Sequence, residues 1–322
     1  MGDRAVEALR AVIADPARVE SGVELAGLTT MRIGGPAGAL VRAETVDDLV
    51  AAAVVGRDLD LPWLVVGRGS NLLVADDGWP GIVIVLGRGF RGVDIDGEIV
   101  RTGAAEPMPA LANTVAKAGL AGMAFGVAIP GTVGGAVRMN AGAHGQEMRD
   151  VLEWADVVRM GAGGAFERWD ASRLAFDYRH SALAPDAVVT RAQVRLHRAE
   201  AADLAAEMAE FRQWRRDHQP INEPSCGSVF RNPPGASAGR LIEAAGLKGF
   251  GRGAAAISER HANFITVRPG ARAADVHAII REVQRRVEQT AGVRLRTEVV
   301  LAGFKDARDR GGDSMQSAEV VP

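Results

Sequence analysis

Cysteine is almost missing from this chain: Cys226 is the only one in 322 residues. No intramolecular disulfide can form, and a reducing compartment is the natural setting. Lysine is scarce as well. Of the 38 basic residues, 35 are arginine, a bias that follows nucleotide composition more than function. Aromatic residues make up only 5%. Charge of one sign is also lacking, since the formal net charge is −2. Nothing therefore pulls the whole molecule toward nucleic acid or an anionic membrane. No run of about 18 apolar residues occurs, so no transmembrane helix is expected. The first 20 residues carry charges throughout and lack the apolar centre of a signal peptide. The expectation is a soluble, cytoplasmic protein with no nucleic-acid or membrane partner. The histidines (144, 180, 197, 218, 261 and 277) show no ligand spacing, so no metal site is expected.

What is present is a globular composition, 47% hydrophobic and 24% charged. At about 150 residues per domain, roughly two domains are expected. Glycine is abundant at 39 residues and has no Gly-X-Y period. That means tight turns, or places where backbone approaches a ligand closely.

The pattern along the chain predicts an amphipathic N-terminal helix ending near Asp15 and Pro16. A short strand follows over Ala39 to Ala43, and then a helix capped by Thr45 with Asp48 three residues on. Strands are expected at Trp63 to Val66 and Ile82 to Leu86, and a hairpin around Asp96-Gly97. Pro107 opens a helix that Gly119 closes. Ala121 to Gly145 reads as a glycine-rich loop. Leu152 to Met160 and Val188 to His197 read as strands, with Val188, Thr190, Ala192, Val194 and Leu196 on one face. Glu200 to Asp217 is a charged helix. The break at His218 to Pro224 marks a domain boundary. Beyond it lie helices at Ser237 to Ala245 and Ala273 to Ala291, strands at Asn263 to Val267 and Val293 to Leu301, and a polar tail from Lys305 expected to be disordered. The expected division is 1–21, 22–217 (in two parts near 22–87 and 88–217), 218–304 and 305–322.

Several segments have chemical potential. In Val66-Gly67-Arg68-Gly69-Ser70-Asn71-Leu72 a strand feeds a glycine-rich turn. Such a turn aims backbone N–H groups at an anion, with Ser70 and Asn71 as further donors. It is neither a dinucleotide fingerprint nor a P-loop, and taken alone a plain tight turn is the better reading. Ile129 to Gly145 carries glycines at 131, 134, 135, 142 and 145 among small residues. A long glycine loop inside a compact domain is usually functional, and an extended polyphosphate ligand suits it. Arg179 suits a carboxylate, although a surface ion pair is the commoner use. Ser228 lies in a turn but not in Gly-x-Ser-x-Gly, so no hydrolase elbow is indicated. Cys226, with His261 as partner, reads better as a quiet thiol than as a nucleophile.

In order along the chain stand Thr29-Thr-Met-Arg-Ile-Gly-Gly35, Val66 to Asn71, Ile129-Pro130-Gly-Thr132-Val-Gly-Gly135, Met139-Asn140-Ala-Gly142, Tyr178-Arg-His-Ser181, Cys226 to Pro233, His261-Ala-Asn-Phe264 and Glu298. Together they resemble the UDP-N-acetylenolpyruvoylglucosamine reductase family, over roughly Val23 to Gly303. The resemblance implies an α+β fold. Its parts are an FAD-binding domain of the vanillyl-alcohol-oxidase/p-cresol-methylhydroxylase type, in two α+β subdomains, and a C-terminal α+β substrate-binding domain. It implies non-covalent FAD, NADPH as co-substrate, and UDP-N-acetylglucosamine enolpyruvate as the compound reduced in peptidoglycan precursor synthesis, by a monomer. Residues 66–72 and Pro130, Gly131, Thr132, Gly134, Gly135, Asn140 and Gly142 fall at FAD-binding positions. Ser228 falls at the proton donor, Arg179 and Glu298 at the enolate stabilisers, and Tyr178, Arg231, Asn232 and His261 at substrate-binding positions. Met31 replaces a usual aromatic and His144 a common tyrosine. The 49 residues from Arg179 to Ser228 leave no room for a long lid, as in the shorter, second type of the family. Two alternatives stand beside this: a paralogous flavin reductase of another nucleotide-sugar enol ether, and a non-catalytic nucleotide binder.

Overall fold

A computed structural model describes residues 2–304. The predicted tail from Lys305 lies outside the described residues.

The N-terminal helix α1 spans Gly2–Val12, shorter than the sequence pattern indicated. Asp15 accepts a hydrogen bond from Ala17 N, and Pro16–Arg18 turn as a 3-10 segment before a two-residue strand at Val19 and Glu20. Ala5, Val6 and Leu9 bury one stripe of α1. Helix α2, Val46–Asp58, starts on the predicted capping box. Asp48 N donates to Thr45 Oγ1 while the Asp48 carboxylate takes the N–H of Thr45. A cap of this kind contributes about 1 kcal/mol. Around it Ala37–Ala43, Trp79–Leu86 and Trp63–Val65 pair in parallel, with Val19–Glu20 antiparallel on the outer edge. Ile82, Val83 and Ile84 are wholly buried, as the middle of a parallel sheet requires.

The next unit is an antiparallel sheet. Its strands run in the order Ala165–Asp170, Leu152–Arg159, Ala187–Arg195, Ile99–Gly103 and Val93–Asp96. The hairpin at Asp96-Gly97 forms as predicted, with Gly97 at φ 62°. Ala165–Asp170 escaped sequence reading. It is an edge strand of mostly exposed residues behind a glycine run. Helix α3, Met108–Lys117, buries Met108, Leu111 and Val115 against this sheet. The segment read as a glycine loop is instead ordered: Ala124–Ala128 is a 3-10 turn and Val133–Arg138 forms the short helix α4. Helix α5, Ala201–His218, buries only Leu204 and Met208 and leads into the third unit.

There Ser225–Ser228, Phe264–Val267, Ala255–Ile257 and Gly251–Arg252 form one sheet. Helices α6, Ala238–Ala244, and α7, Ala273–Ala291, cover it. Gly292 ends α7 in the left-handed conformation at φ 66°. The strand predicted over Val293 to Leu301 is reduced to Val300–Ala302, and it belongs elsewhere. It pairs in parallel with Leu72–Val74, back in the N-terminal half. Met31 and Leu73, fully buried, lie in the core of this third unit. The units therefore share hydrophobic core, each large buried side chain contributing about 1.5–3 kcal/mol.

Candidate active site

The turn after Trp63–Val65 is built from backbone. Val66 N donates to Ile84 O at 2.8 Å, so sheet alignment continues to that point. From Gly67 to Asn71, no protein acceptor takes a backbone N–H among the described residues. Gly69 sits at φ 57°, and a Cβ there would lie 2.2 Å from Leu28 O. Thr30 straps the turn down: its N–H and its Oγ1 both reach Gly69 O, at 3.2 and 3.3 Å. The same hydroxyl lies 2.7 Å from Ser225 O. Asn71 also has a partner inside the protein. Its Nδ2 donates one hydrogen to Glu298 O at 3.0 Å, which ties the turn to the C-terminal segment and leaves the second amide hydrogen. Leu72 is buried and paired with Val300, while Arg68 is exposed.

The second glycine segment faces the first. A Cβ on Gly67 would meet Thr132 Oγ1 at 2.8 Å, and one on Gly131 would sit 3.6 Å from Ser70 Oγ. Pro130 is exposed beside them. Within α4 the first amides are engaged: Val133 N with Glu106 O, Gly134 N with Ala104 O, and Gly135 N with Thr132 Oγ1. The expected anion cradle over 129–145 therefore does not rest on them. Gly134 instead allows α4 to pack on Ala104, whose Cβ a side chain would approach to 3.1 Å. Asn140 is wholly buried and its amide is used inside the protein, by Glu147, Asp177 O and Arg149 N. Gly142 allows a hairpin to close, since a Cβ there would lie 2.4 Å from Gln146 O. Neither residue is open to a ligand through its side chain.

Arg179 and Glu298, 119 residues apart in the chain, meet: Arg179 Nε donates to Glu298 Oε1 at 3.2 Å. Arg179 stands in a tight turn closed by reciprocal Asp177 and His180 backbone bonds, at φ 54°. For a residue with a Cβ this conformation costs roughly 1–2 kcal/mol. Arg179 also donates to Gly142 O at 2.9 Å, and lies 3.8 Å from Glu147. Tyr178 is 38% exposed, its ring centroid 5.0 Å from the Arg179 guanidinium. Burial pushes the Glu298 carboxyl above the usual carboxylate range, with Arg179 and Arg231 pulling the other way.

Ser228 lies one residue from Val229, whose carbonyl accepts the Glu298 N–H at 2.8 Å. The strand bulges between Ser225 and Ser228, with Gly227 at φ 75°, and bulges re-aim side chains. Ser228 Oγ has no protein hydrogen bond among the described residues. Cys226 is buried and its thiol pushed up to about 12 by desolvation, the quiet thiol expected. Asn263, fully buried, exchanges two hydrogen bonds with Phe230 and fixes the chain just past Ser228. Nothing in its sequence position announced that role.

A cavity of about 210 Å³ opens beside Arg179, lined also by Arg138, His180, Ser181 and Arg231. Arg231 Nε is buried without a partner. Burial brings Arg138 down to about 10, against the pull of Asp186. Three guanidinium groups around one hollow suit a ligand with several negative charges. Asn232 stands aside, with its Oδ1 accepting from Ala238 N at the start of α6. His261 is not joined to the cluster. Its ring packs on Phe264 and Gly239, and burial lowers its pKa.

The arrangement has close relatives among known proteins. Residues 37–167 match the model of an FAD binding domain. Residues 219–302 match that of the UDP-N-acetylenolpyruvoylglucosamine reductase C-terminal domain. UDP-N-acetylenolpyruvoylglucosamine reductase of Heliobacterium modesticaldum is 44% identical over 90% of this chain and 92% of its own. That of Granulibacter bethesdensis is 41% identical over 89% and 92%. The crystal structure of the reductase from Thermus caldophilus superposes with a TM-score of 0.77 at 40% identity, covering 88% of this chain and 99% of that one. Identity of this order across both parts of the fold settles descent, and the chain belongs to the UDP-N-acetylenolpyruvoylglucosamine reductase family.

Proposed function

We propose that this protein reduces UDP-N-acetylglucosamine enolpyruvate to UDP-N-acetylmuramate with NADPH, through non-covalently bound FAD, for peptidoglycan precursor synthesis. Residues 22–217 hold the flavin in this reading and 218–304 contribute the substrate side. The fold fits the cofactor: the run of open amides from Gly67 to Asn71, facing Gly131 and Thr132 at close range, suits a pyrophosphate. Bound there, FAD would supply the hydride transfer from NADPH to the methylene carbon of the enol ether.

The chain's own residues deal with the charge that follows. Hydride on the methylene leaves negative charge on the carbon next to the carboxylate, and preorganised donors lower that barrier most. The Arg179 fork takes the carboxylate. Glu298 holds the fork through Arg179 Nε, and burial raises its carboxyl toward the protonated form, in which it donates a hydrogen bond where an ionised acid would repel the enolate. Ser228 Oγ hands a proton to the α-carbon. Arg231 and Arg138 line the hollow where the diphosphate is bound. The observation that carries the reading is the contact of Glu298 with Arg179 on one side and, through the Val229 carbonyl, with the Ser228 strand on the other. The single buried Cys226 supports a cytoplasmic setting. No helix among the described residues is long and apolar enough to cross a membrane.

The test is anaerobic. The purified protein is reduced with NADPH, UDP-N-acetylglucosamine enolpyruvate is added, and the flavin absorbance is followed. Rapid return of the oxidised band is the expected result. Reduction without return transfers the reading to a different nucleotide-sugar enol ether. A protein that neither contains nor binds flavin overturns the proposal.

A further inference from the structure

Arg179 has a second acidic neighbour, Glu147, for which the reaction outlined above has no use. It stands on a two-stranded hairpin, Gly142–Ala143 with Gln146–Glu147, turned by His144 and Gly145 at φ 54° and 81°. A turn with both central residues at positive φ is rigid and of the kind that suits tight hairpins. The hairpin offers Arg179 two acceptors: Gly142 O, 2.9 Å from one terminal nitrogen, and Glu147 Oε1, 3.8 Å from the other. Asn140 binds hairpin and turn together. Its Nδ2 donates to Glu147 Oε2 at 2.8 Å and to Asp177 O at 3.0 Å, and Asp177 opens the turn that carries Arg179. Its Oδ1 takes the Arg149 N–H at 3.0 Å. Arg149 Nε also reaches Glu147 Oε2 at 2.9 Å. The N–H of Glu147 rests on Asp150 Oδ2 at 2.7 Å.

The consequence is geometric. A guanidinium has five N–H groups in one plane. Glu298 takes the one on Nε, and Gly142 and Glu147 each face one terminal nitrogen. The terminal nitrogen that donates to Gly142 keeps a second N–H, and the one facing Glu147 makes no hydrogen bond to it at 3.8 Å, so N–H groups on both remain for a carboxylate. Two hydrogen bonds, to Glu298 and Gly142, and the charge of Glu147 at 3.8 Å orient the fork before substrate arrives.

We infer that Glu147, held by Asn140, is a positioning residue that fixes the Arg179 guanidinium for the substrate carboxylate. Neither residue touches the reacting atoms. The inference rests on the functional reading above for what Arg179 binds, but its geometry stands on this chain alone.

Two readouts test it on the flavin-loaded protein. The first is the 15N-resolved NMR signals of the Arg179 side chain, identified by their loss in Arg179→Lys. Distinct terminal signals are expected in the parent protein and averaged ones in Glu147→Gln. The second is single-turnover kinetics. In Glu147→Gln, reoxidation by UDP-N-acetylglucosamine enolpyruvate should fall about tenfold, with flavin content and reduction by NADPH unchanged. In an Arg179→Lys background the same change should add little, because residues acting through one another are not additive. Glu147→Asp, one methylene short of its partners but still charged, should fall between. Unchanged arginine signals, an equal loss in both backgrounds, or a loss of flavin with both half-reactions in proportion would each overturn the inference. If the parent protein itself does not reoxidise with this substrate, the functional reading fails, and the NMR signals still decide on Glu147.

Discussion

The turn at 67–71 and the strand at 225–228 lie side by side under Thr30, yet they are built on opposite principles. The turn presents backbone. Its glycines are where a side chain would clash, and what it offers the proposed ligand is amides that any sequence of the right shape would have. The strand and its neighbours present side chains: in the proposed reaction Ser228, Arg179 and Glu298 act by their chemistry, and the backbone aims them. The turn is therefore vulnerable to added atoms, and the second group to a changed functional group. Mutations should separate the two.

The largest effect is expected at Gly69. Gly69→Ala places a methyl 2.2 Å from Leu28 O in a conformation already unfavourable to alanine. The protein should be recovered without flavin, as read from the ratio of visible to ultraviolet absorbance. Gly27→Ala is its control, since nothing lies within 4 Å of a Cβ there. Equal flavin content in Gly69→Ala and the parent would end the idea of a backbone cradle.

Next comes Ser228→Ala, which removes an oxygen and adds no bulk. Reduction by NADPH should persist, while reoxidation by substrate falls about 10²–10⁴-fold, the range of a general acid. Parent-like turnover would take Ser228 out of the proton path. Arg179→Lys should cost less, about 10–100-fold in the same step, because a point charge remains where the fork was. A loss in the NADPH step instead would place Arg179 on the wrong side of the reaction.

The backbone half of this comparison was the more legible in sequence. Thr45 with Asp48 and the Asp96-Gly97 turn are local signals, and each forms the element it announces. Local signals misled where glycine was dense. Ala121 to Gly145 looked structureless, but Thr132 caps a helix there and Asn140 locks a hairpin. The long-range contacts left less trace. Val300 pairs with Leu72 across the whole chain, and a three-residue strand has no period to read. Ser228, Arg179 and Glu298 could be named from family resemblance, and the structure brings Arg179 and Glu298 together. Glu147 could not be named, because an isolated acid in a turn looks the same whether or not an arginine 32 residues later folds onto it.

The smallest effect bears most directly on Glu298. Burial raises its carboxyl above the range it has in an unfolded chain, chiefly by removing water from the charged form. Between the unfolded value, about 4.3, and the raised one, the folded protein holds a proton that the unfolded chain has released. Folding stability then falls as pH rises through that window and levels off above it. Below the unfolded value the group contributes nothing, because both states are protonated. Glu298→Gln carries no titrating proton and escapes this loss. Its melting temperature relative to the parent should therefore climb with pH by a few degrees, starting above about pH 4.3. The same titration should set the alkaline limb of substrate-driven reoxidation in the parent protein, where the donated hydrogen bond disappears. A melting difference that stays flat, or that falls as pH rises, would mean that Glu298 is ionised in the folded protein and that its contact with Arg179 is an ordinary ion pair. Its hydrogen bond to the enolate would then have to come from another group.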